Sequence, residues 1–412
     1  MKNNEVARRT FLKSSAFLAS TLAMPYIARP AFAADTIRIG NLIDLTGPIG
    51  AGGQVVMPGM TLAVKEINES GLLGKQVEIV NYDAQSNMQL YTQYAQQLAL
   101  KDNVDAVFGG LTSASREAIR PIFSRFKKLY FYNCLYEGGV CDRNIFCTGT
   151  TPAQTVGKLV PEAMKKWGKK VYIIAADYNY GQITAKWMAK FVKDNGGTVM
   201  NTDFFPLDVT NFSSAIARIQ SASPDIVFSA MVGANHLGFY RQWESAGLKQ
   251  RIPIASTTFG ANSEVLTLDT STTEGIMSSF GYYDTVNTPG SKAFVEAVKP
   301  TVPSGSQATE LTACAYEAVN LWAQAVQAAG TTDRMKVIEA LEGGRSFGGP
   351  SGHVAIDPKT HHTVRSAFIA EAKAGKWAIE ASYADQPPAD TAAVCDLAAA
   401  PNTNKQFVIE VN

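Results

Sequence analysis

Val171-Tyr172-Ile173-Ile174-Ala175-Ala176 is an uncharged apolar run between two segments of helical spacing, 153–167 and 182–195. Such a run between helices marks a strand buried on both faces, as in a parallel sheet covered by helices. The pattern continues C-terminally with strand Thr198 to Phe204, helix 211–222, strand Asp225 to Met231, helix 235–246 and strand Ile252 to Ser256.

The same alternation precedes it. Ile37 to Leu42 reads as a strand, followed by a glycine-rich loop through Gly53. Met60, Ala63, Val64 and Ile67 recur at helical spacing until Gly71. Strand Val77 to Tyr82, a helix carrying Tyr91, Tyr94, Ala95 and Leu98, and strand Val104 to Phe108 with its Gly109-Gly110 stop come next. Leu129 to Tyr132 and Asn144 to Thr148 add short strands. Two such series predict an α/β fold of two doubly wound Rossmann-like lobes. Beyond them the spacing predicts helices over Gln307 to Ala329 and 332–342 and a weaker β region from His353 to Ile379. The tail from Ala381, with Pro387-Pro388, reads as an extended surface strap.

The chain has 412 residues, 46% of them hydrophobic and 18% charged, which excludes a disordered chain and a multi-span membrane protein. Thirty-seven Lys and Arg face thirty-six Asp and Glu, so no basic excess exists to neutralise phosphates, and nucleic acid is not an expected partner. Arg8-Arg9-Thr10-Phe11-Leu12-Lys13, an uncharged stretch from Ser14 to Ala28 and the ending Ala31-Phe32-Ala33 read as a twin-arginine export signal over residues 1–33. No later stretch is long and apolar enough to span a membrane, so the expected location is the periplasm, free of the membrane. That compartment permits disulfides. Cys134 and Cys141 flank a turn-rich loop close enough to bridge, and five cysteines leave at least one thiol free.

In open α/β sheets ligands bind beyond the carboxyl ends of the strands. The loops there carry hydroxyls, phenols and amides, and none pairs a nucleophile with a base. No Gly-x-Ser-x-Gly elbow, His-Glu-x-x-His or phosphate-loop lysine occurs, and Gly50-Ala51-Gly52-Gly53 lacks the third glycine of a dinucleotide loop. The expectation is a binding site with no catalytic residue, metal or cofactor. Gly109-Gly110-Leu111-Thr112-Ser113-Ala114 is its most informative part: the glycines admit a close ligand, Thr112 and Ser113 offer hydroxyls, and the following helix start offers free N–H groups.

Ile37-Arg38-Ile39-Gly40, Thr46-Gly47-Pro48, Glu66-Ile67-Asn68 with Gly71, Asp105-Ala106-Val107-Phe108-Gly109, Tyr180-Gly181 and Gly352-His353-Val354-Ala355-Ile356-Asp357 resemble the branched-chain amino acid-binding type of periplasmic solute-binding protein, to about residue 380. Ser113-Ala114-Ser115-Arg116 with Pro121, Tyr132-Asn133-Cys134-Leu135-Tyr136-Glu137-Gly138 before Asn144-Ile145-Phe146, and His361-His362 after Asp357-Pro358 are most similar to its urea and short-chain amide branch.

The resemblance implies the type I periplasmic binding protein fold, its two lobes joined by three hinge strands. Lobe 1 would hold 36–150 plus 280–345, lobe 2 would hold 151–279 plus 346–380, and 381–412 would form a tail. It implies a monomer that closes on its solute for an ABC permease, or that presents its closed form to a membrane kinase as a sensor. Carried over, Leu111, Thr112 and Ser113 would meet the ligand, Tyr132, Asn133 and Cys134 would wall it, and Tyr180 with Thr257 or Thr258 would close from the second lobe. Amino acid binders of this type pair the ligand ammonium with a second-lobe carboxylate, because a buried unpaired charge is costly. Ala255-Ser256-Thr257-Thr258-Phe259-Gly260 carries no acid. Urea or a short-chain amide is therefore expected ahead of an amino acid or a small or aromatic carboxylate.

Overall fold

The computed structural model describes residues 36–408 apart from Ala234, so the export segment 1–33 lies outside the described residues. The chain opens with β1 (Ile37–Ile43), β2 (Val77–Asp83), β3 (Ala106–Gly109), β4 (Leu129–Tyr132), β5 (Val140–Asp142) and β6 (Ile145–Cys147). A second series follows: β7 (Lys170–Ala176), β8 (Thr198–Phe205), β9 (Ile226–Ala230), β10 (Ile254–Ser256) and β11 (Met277–Phe280). Last come β12 (Ser346–Gly349), β13 (Gly352–Asp357), β14 (His362–Lys373), β15 (Lys376–Gln386) and β16 (Asn404–Gln406).

The order along the sheet is β2-β1-β3-β4-β6-β14-β11-β10-β9-β7-β8. Each half, β2 to β6 and β11 to β8, is parallel and covered by the helices between its strands, so the two doubly wound halves expected from the sequence are present. Position in the sheet explains the lettering of the strands. Ile226–Ala230 is central and wholly buried, whereas Thr198–Phe205 forms an edge and is largely accessible, hence its Asn201, Thr202 and Asp203.

Strand β14 belongs to both halves. Its start pairs with β13 and touches β6 at His362 and Cys147, and its later residues Phe368 to Glu371 pair antiparallel with β11. The chain crosses between the halves here and beside Thr148–Thr151 and Phe280–Tyr283. Buried side chains tie the three crossings together. Glu310 accepts from Thr150 Oγ1 at 2.7 Å and from Gly281 N–H at 2.9 Å. Arg365 donates to the Thr148 carbonyl at 2.6 Å and to Glu317 at 3.0 Å. A Cβ on Gly281 would stand 2.6 Å from Arg365 Nε, so glycine is what lets the crossings lie this close.

The structure differs from the sequence expectation at four places. The helix after β1 spans Gly50–Ser70, so Gly50, Gly52 and Gly53 lie in its first turn and not in a loop. Their smallness serves packing, since a Cβ on Gly53 would meet the Asp44 carbonyl at 1.8 Å. Residues 346–357, assigned to the second lobe, pair beside β6 through the start of β14. The tail from Ala381 is more than an extended strap: β15 runs on to Gln386, Asp390 and Leu397 are buried, and β16 pairs antiparallel with β5. Finally, Cys141 is bonded to Cys395 and not to Cys134, which is free. The pairing follows from the tail folding back over β5, which brings together residues 254 positions apart that no spacing rule would join. No helix among the described residues is long and apolar enough to cross a membrane.

Candidate functional site

A cavity of about 190 Å³ lies where the loops after β1, β3, β4, β7, β9 and β10 converge, at the carboxyl ends of both half sheets. Its walls are mainly apolar, with Ile49, Leu111, Leu135, Val232, Leu237 and Leu311 among them. The rings of Tyr132, Tyr178 and Tyr180 complete them.

The polar end is built on the helix Ser113–Arg125. Gly109 and Gly110 turn the chain out of β3 with φ of 125° and 75°, which bring the backbone within a Cβ's reach of Leu42 and Tyr130. Thr112 then caps the helix: its Oγ1 accepts from Ser115 N–H at 3.0 Å, and Ser115 Oγ accepts from Thr112 N–H at 3.1 Å. The Thr112 hydroxyl is thus committed to the cap. The next two N–H groups, at Ser113 and Ala114, are among those a helix start leaves without an intrahelical acceptor, and Ser113 borders the cavity.

Ser113 Oγ–H donates to Glu137 Oε2, so its proton is committed to the protein. Glu137, itself buried, also accepts from Arg116 Nη2 at 2.8 Å. The Arg116 guanidinium is fully buried between the rings of Tyr132 and Tyr136, 4.9 and 4.5 Å from their centroids. The charge behind Ser113 is therefore internally balanced. Tyr132 Oη donates to the Leu111 carbonyl at 3.1 Å, so this phenol presents its ring to the cavity.

Cys134 lines the same wall as a free thiol. Burial, reinforced by the charge of Glu310, pushes it up to about 12, so it stays neutral and behaves as a small apolar group. Asn133 is buried and does not line the cavity, and its Nδ2 has no partner. From the other half, Tyr180 Oη is hydrogen-bonded to Thr257 Oγ1 at 3.0 Å. Thr257 stands behind Tyr180, while Thr258 lines the cavity with its hydroxyl donated to the Met231 carbonyl at 2.6 Å.

The structure adds a polar pair that the sequence reading missed. Glu264 and His236 both line the cavity and are joined at 3.0 Å. Glu264 Oε2 also accepts from the N–H groups of Gly260 at 2.7 Å and Asn262 at 3.0 Å, and Oε1 from Asn262 Nδ2 at 3.1 Å. Burial alone would raise this carboxyl, but His236 and the backbone donors outweigh it and hold it below its ordinary value. The acid absent from residues 255–260 thus stands four residues further on, with its acceptor positions filled by the protein. This loop follows β10, where the strand-end rule places a ligand, but nothing in the local spacing marks Glu264 as part of the site.

A family model described as periplasmic binding protein domain matches residues 37–387. The Leu/Ile/Val-binding protein homolog 6 of Brucella melitensis is 25% identical over 360 residues, covering 85% of this chain and 91% of its own length. A solved ABC-transporter solute-binding protein of R. palustris, in complex with 4-hydroxybenzoate, is 26% identical with a TM-score of 0.78, covering 86% of this chain and 98% of its own. Another, from Rhodopseudomonas palustris HaA2 and in complex with p-hydroxybenzoic acid, is 25% identical with a TM-score of 0.79, covering 87% and 100%.

Proposed function

The chain belongs to the periplasmic binding protein domain family, and from that premise we propose that it is the periplasmic receptor of an ABC importer for a small aromatic carboxylate such as a hydroxybenzoate. It is a solute-binding protein and not an enzyme. The observation that carries the ligand class is the distribution of polarity in the cavity. The start of the Ser113–Arg125 helix, where N–H groups lack intrahelical acceptors, borders the cavity, and leucines and tyrosines line most of the rest.

A carboxylate suits that end, because N–H groups at a helix start favour an anion. A ring suits the tyrosine and leucine walls. His236 offers a polar partner elsewhere in the lining, and two relatives about a quarter identical hold a hydroxybenzoate. Contacts from both halves would favour a closed state by population shift, with the three crossings as the hinge.

Two rivals fit less well. Urea or a short-chain amide, the ligand preferred from the sequence, would leave much of about 190 Å³ unfilled and face apolar surface on most sides. An amino acid is favoured by the position of Glu264 and by the name of the Brucella relative, but its ammonium would have to displace His236 from an acid already fully bonded.

Thermal unfolding with 4-hydroxybenzoate, benzoate, leucine, urea and acetamide tests the reading. A ligand at a hundred times its Kd adds about 2.7 kcal/mol. The aromatic acids should raise the transition and the others leave it in place; a rise with leucine or urea alone would overturn the assignment.

A further inference from the structure

We propose that the segment after residue 387 positions the ligand site, with Gln406 acting on Glu137 and Glu137 on Ser113. This stretch lies beyond the family match, which ends at 387. It nevertheless reaches the back of the cavity through a series of buried or covalent anchors.

Asp390 accepts from Thr151 Oγ1 at 2.8 Å and from Ala153 N–H at 3.1 Å, beside the crossing between the halves. Thr391 Oγ1 accepts from Gly139 N–H at 3.0 Å. The Cys141–Cys395 bond fixes the middle of the segment, and Asn404–Gln406 pairs with Val140–Asp142. Phe407 N–H donates to the Gly139 carbonyl at 2.8 Å, and a Cβ on Gly139 would meet the Phe407 carbonyl at 2.0 Å. The loop before β5 and the end of the tail are thus in direct backbone contact.

Gln406 Nε2 donates to Glu137 Oε1 and, at 3.2 Å, to the Gly138 carbonyl. Glu137 therefore joins three parts of the molecule. Its carboxylate holds Ser113 and Arg116 of the first half, its carbonyl accepts from Trp187 Nε1 of the second half at 3.0 Å, and the tail holds it from behind. A buried carboxylate stays where its donors are. Removing Gln406 leaves Oε1 to Arg116 and frees the carboxylate to swing away from Ser113. The Ser113 hydroxyl then loses its fixed orientation, and with it the site loses preorganisation.

The proposal rests on the cavity being the ligand site, and two readouts keep the questions separate. In the full-length protein, Gln406→Leu should weaken 4-hydroxybenzoate binding about three- to ten-fold, the worth of one hydrogen bond, and lower the unliganded melting temperature modestly, since a buried carboxylate loses a donor. Gln406→Lys, which keeps a donor facing Glu137, should bind as wild type does. Hydrogen exchange of the unliganded proteins should be faster in Gln406→Leu than in wild type over 113–116 and 137–140. If wild type ignores 4-hydroxybenzoate, the ligand assignment fails, and the exchange result alone decides the role of the tail. Unchanged exchange in Gln406→Leu overturns that role, as does equal weakening in the Leu and Lys variants.

Discussion

Glu264 receives the His236 imidazole at 3.0 Å while three further donors from Gly260 and Asn262 fill its remaining acceptor positions. An acid lining the cavity is thereby consumed by the protein. Its removal should act on stability before specificity. Glu264→Ala breaks a buried, fully paired charge and should cost about 3–5 kcal/mol in denaturant unfolding. Preserved stability with lost leucine binding would instead identify Glu264 as the partner of a ligand ammonium.

Ser113 is the hydroxyl that links the cavity to the Glu137–Arg116 pair. Ser113→Ala removes one donor from a buried carboxylate, a loss of about 1–3 kcal/mol. The melting temperature should fall and 4-hydroxybenzoate affinity with it, since Glu137 is then held from one side fewer. Calorimetric titration showing an unchanged Kd would remove Ser113 from the site.

The alternation of apolar strands and helices was readable because each central strand of a parallel sheet is buried on both faces, as Val171–Ala176 is. Ser113, Tyr132, Cys134, Tyr180 and Thr258 line one cavity for the same reason: all lie at or just beyond the carboxyl ends of strands. What escaped the sequence reading depends on long-range packing. The glycines of the Gly50–Ser70 helix look like a loop until the Asp44 carbonyl against Gly53 is seen. Cys134 stood nearer to Cys141 in sequence, yet the tail brought Cys395 to it. Glu264 carried no local signal, because its function is read only from the donors that surround it.

The Cys141–Cys395 bond leaves Cys134, Cys147 and Cys314 as thiols. Titration of the unfolded, unreduced chain should find three, against five after reduction. The double substitution Cys141→Ser, Cys395→Ser should lower stability by about 2–5 kcal/mol, because the bond closes a very long loop in the unfolded chain. Five thiols before reduction, or a pair including Cys134, would refute this pairing.

Acid should begin to destabilise the fold near pH 6.5, and His362 is the reason. The imidazole is buried with Nδ1–H donated to the Thr360 carbonyl at 2.7 Å and Nε2 facing the Tyr136 hydroxyl. Burial first, then the charges of His361 and Arg116, push it down to about 3 from an ordinary 6.5. A histidine held neutral in the fold but free to protonate when unfolded contributes stability above pH 6.5. That stability drains away as pH falls from 6.5 towards 3. Glu342, held down at about 2 against burial by Arg143 and His361, adds a loss in the same direction below 4.5. Asp284, raised by burial to about 6, opposes both between 3.8 and 6, since it favours the fold as it protonates. Above pH 6 that opposition is spent, so the early decline belongs to His362. Unfolding free energy should begin to fall near pH 6.5 and, with Asp284 offsetting most of the loss below pH 6, be lower by on the order of 1 kcal/mol at pH 4. His362→Gln, which cannot protonate, should remove that early slope and keep the later one. A slope surviving intact in the variant would place the acid sensitivity elsewhere.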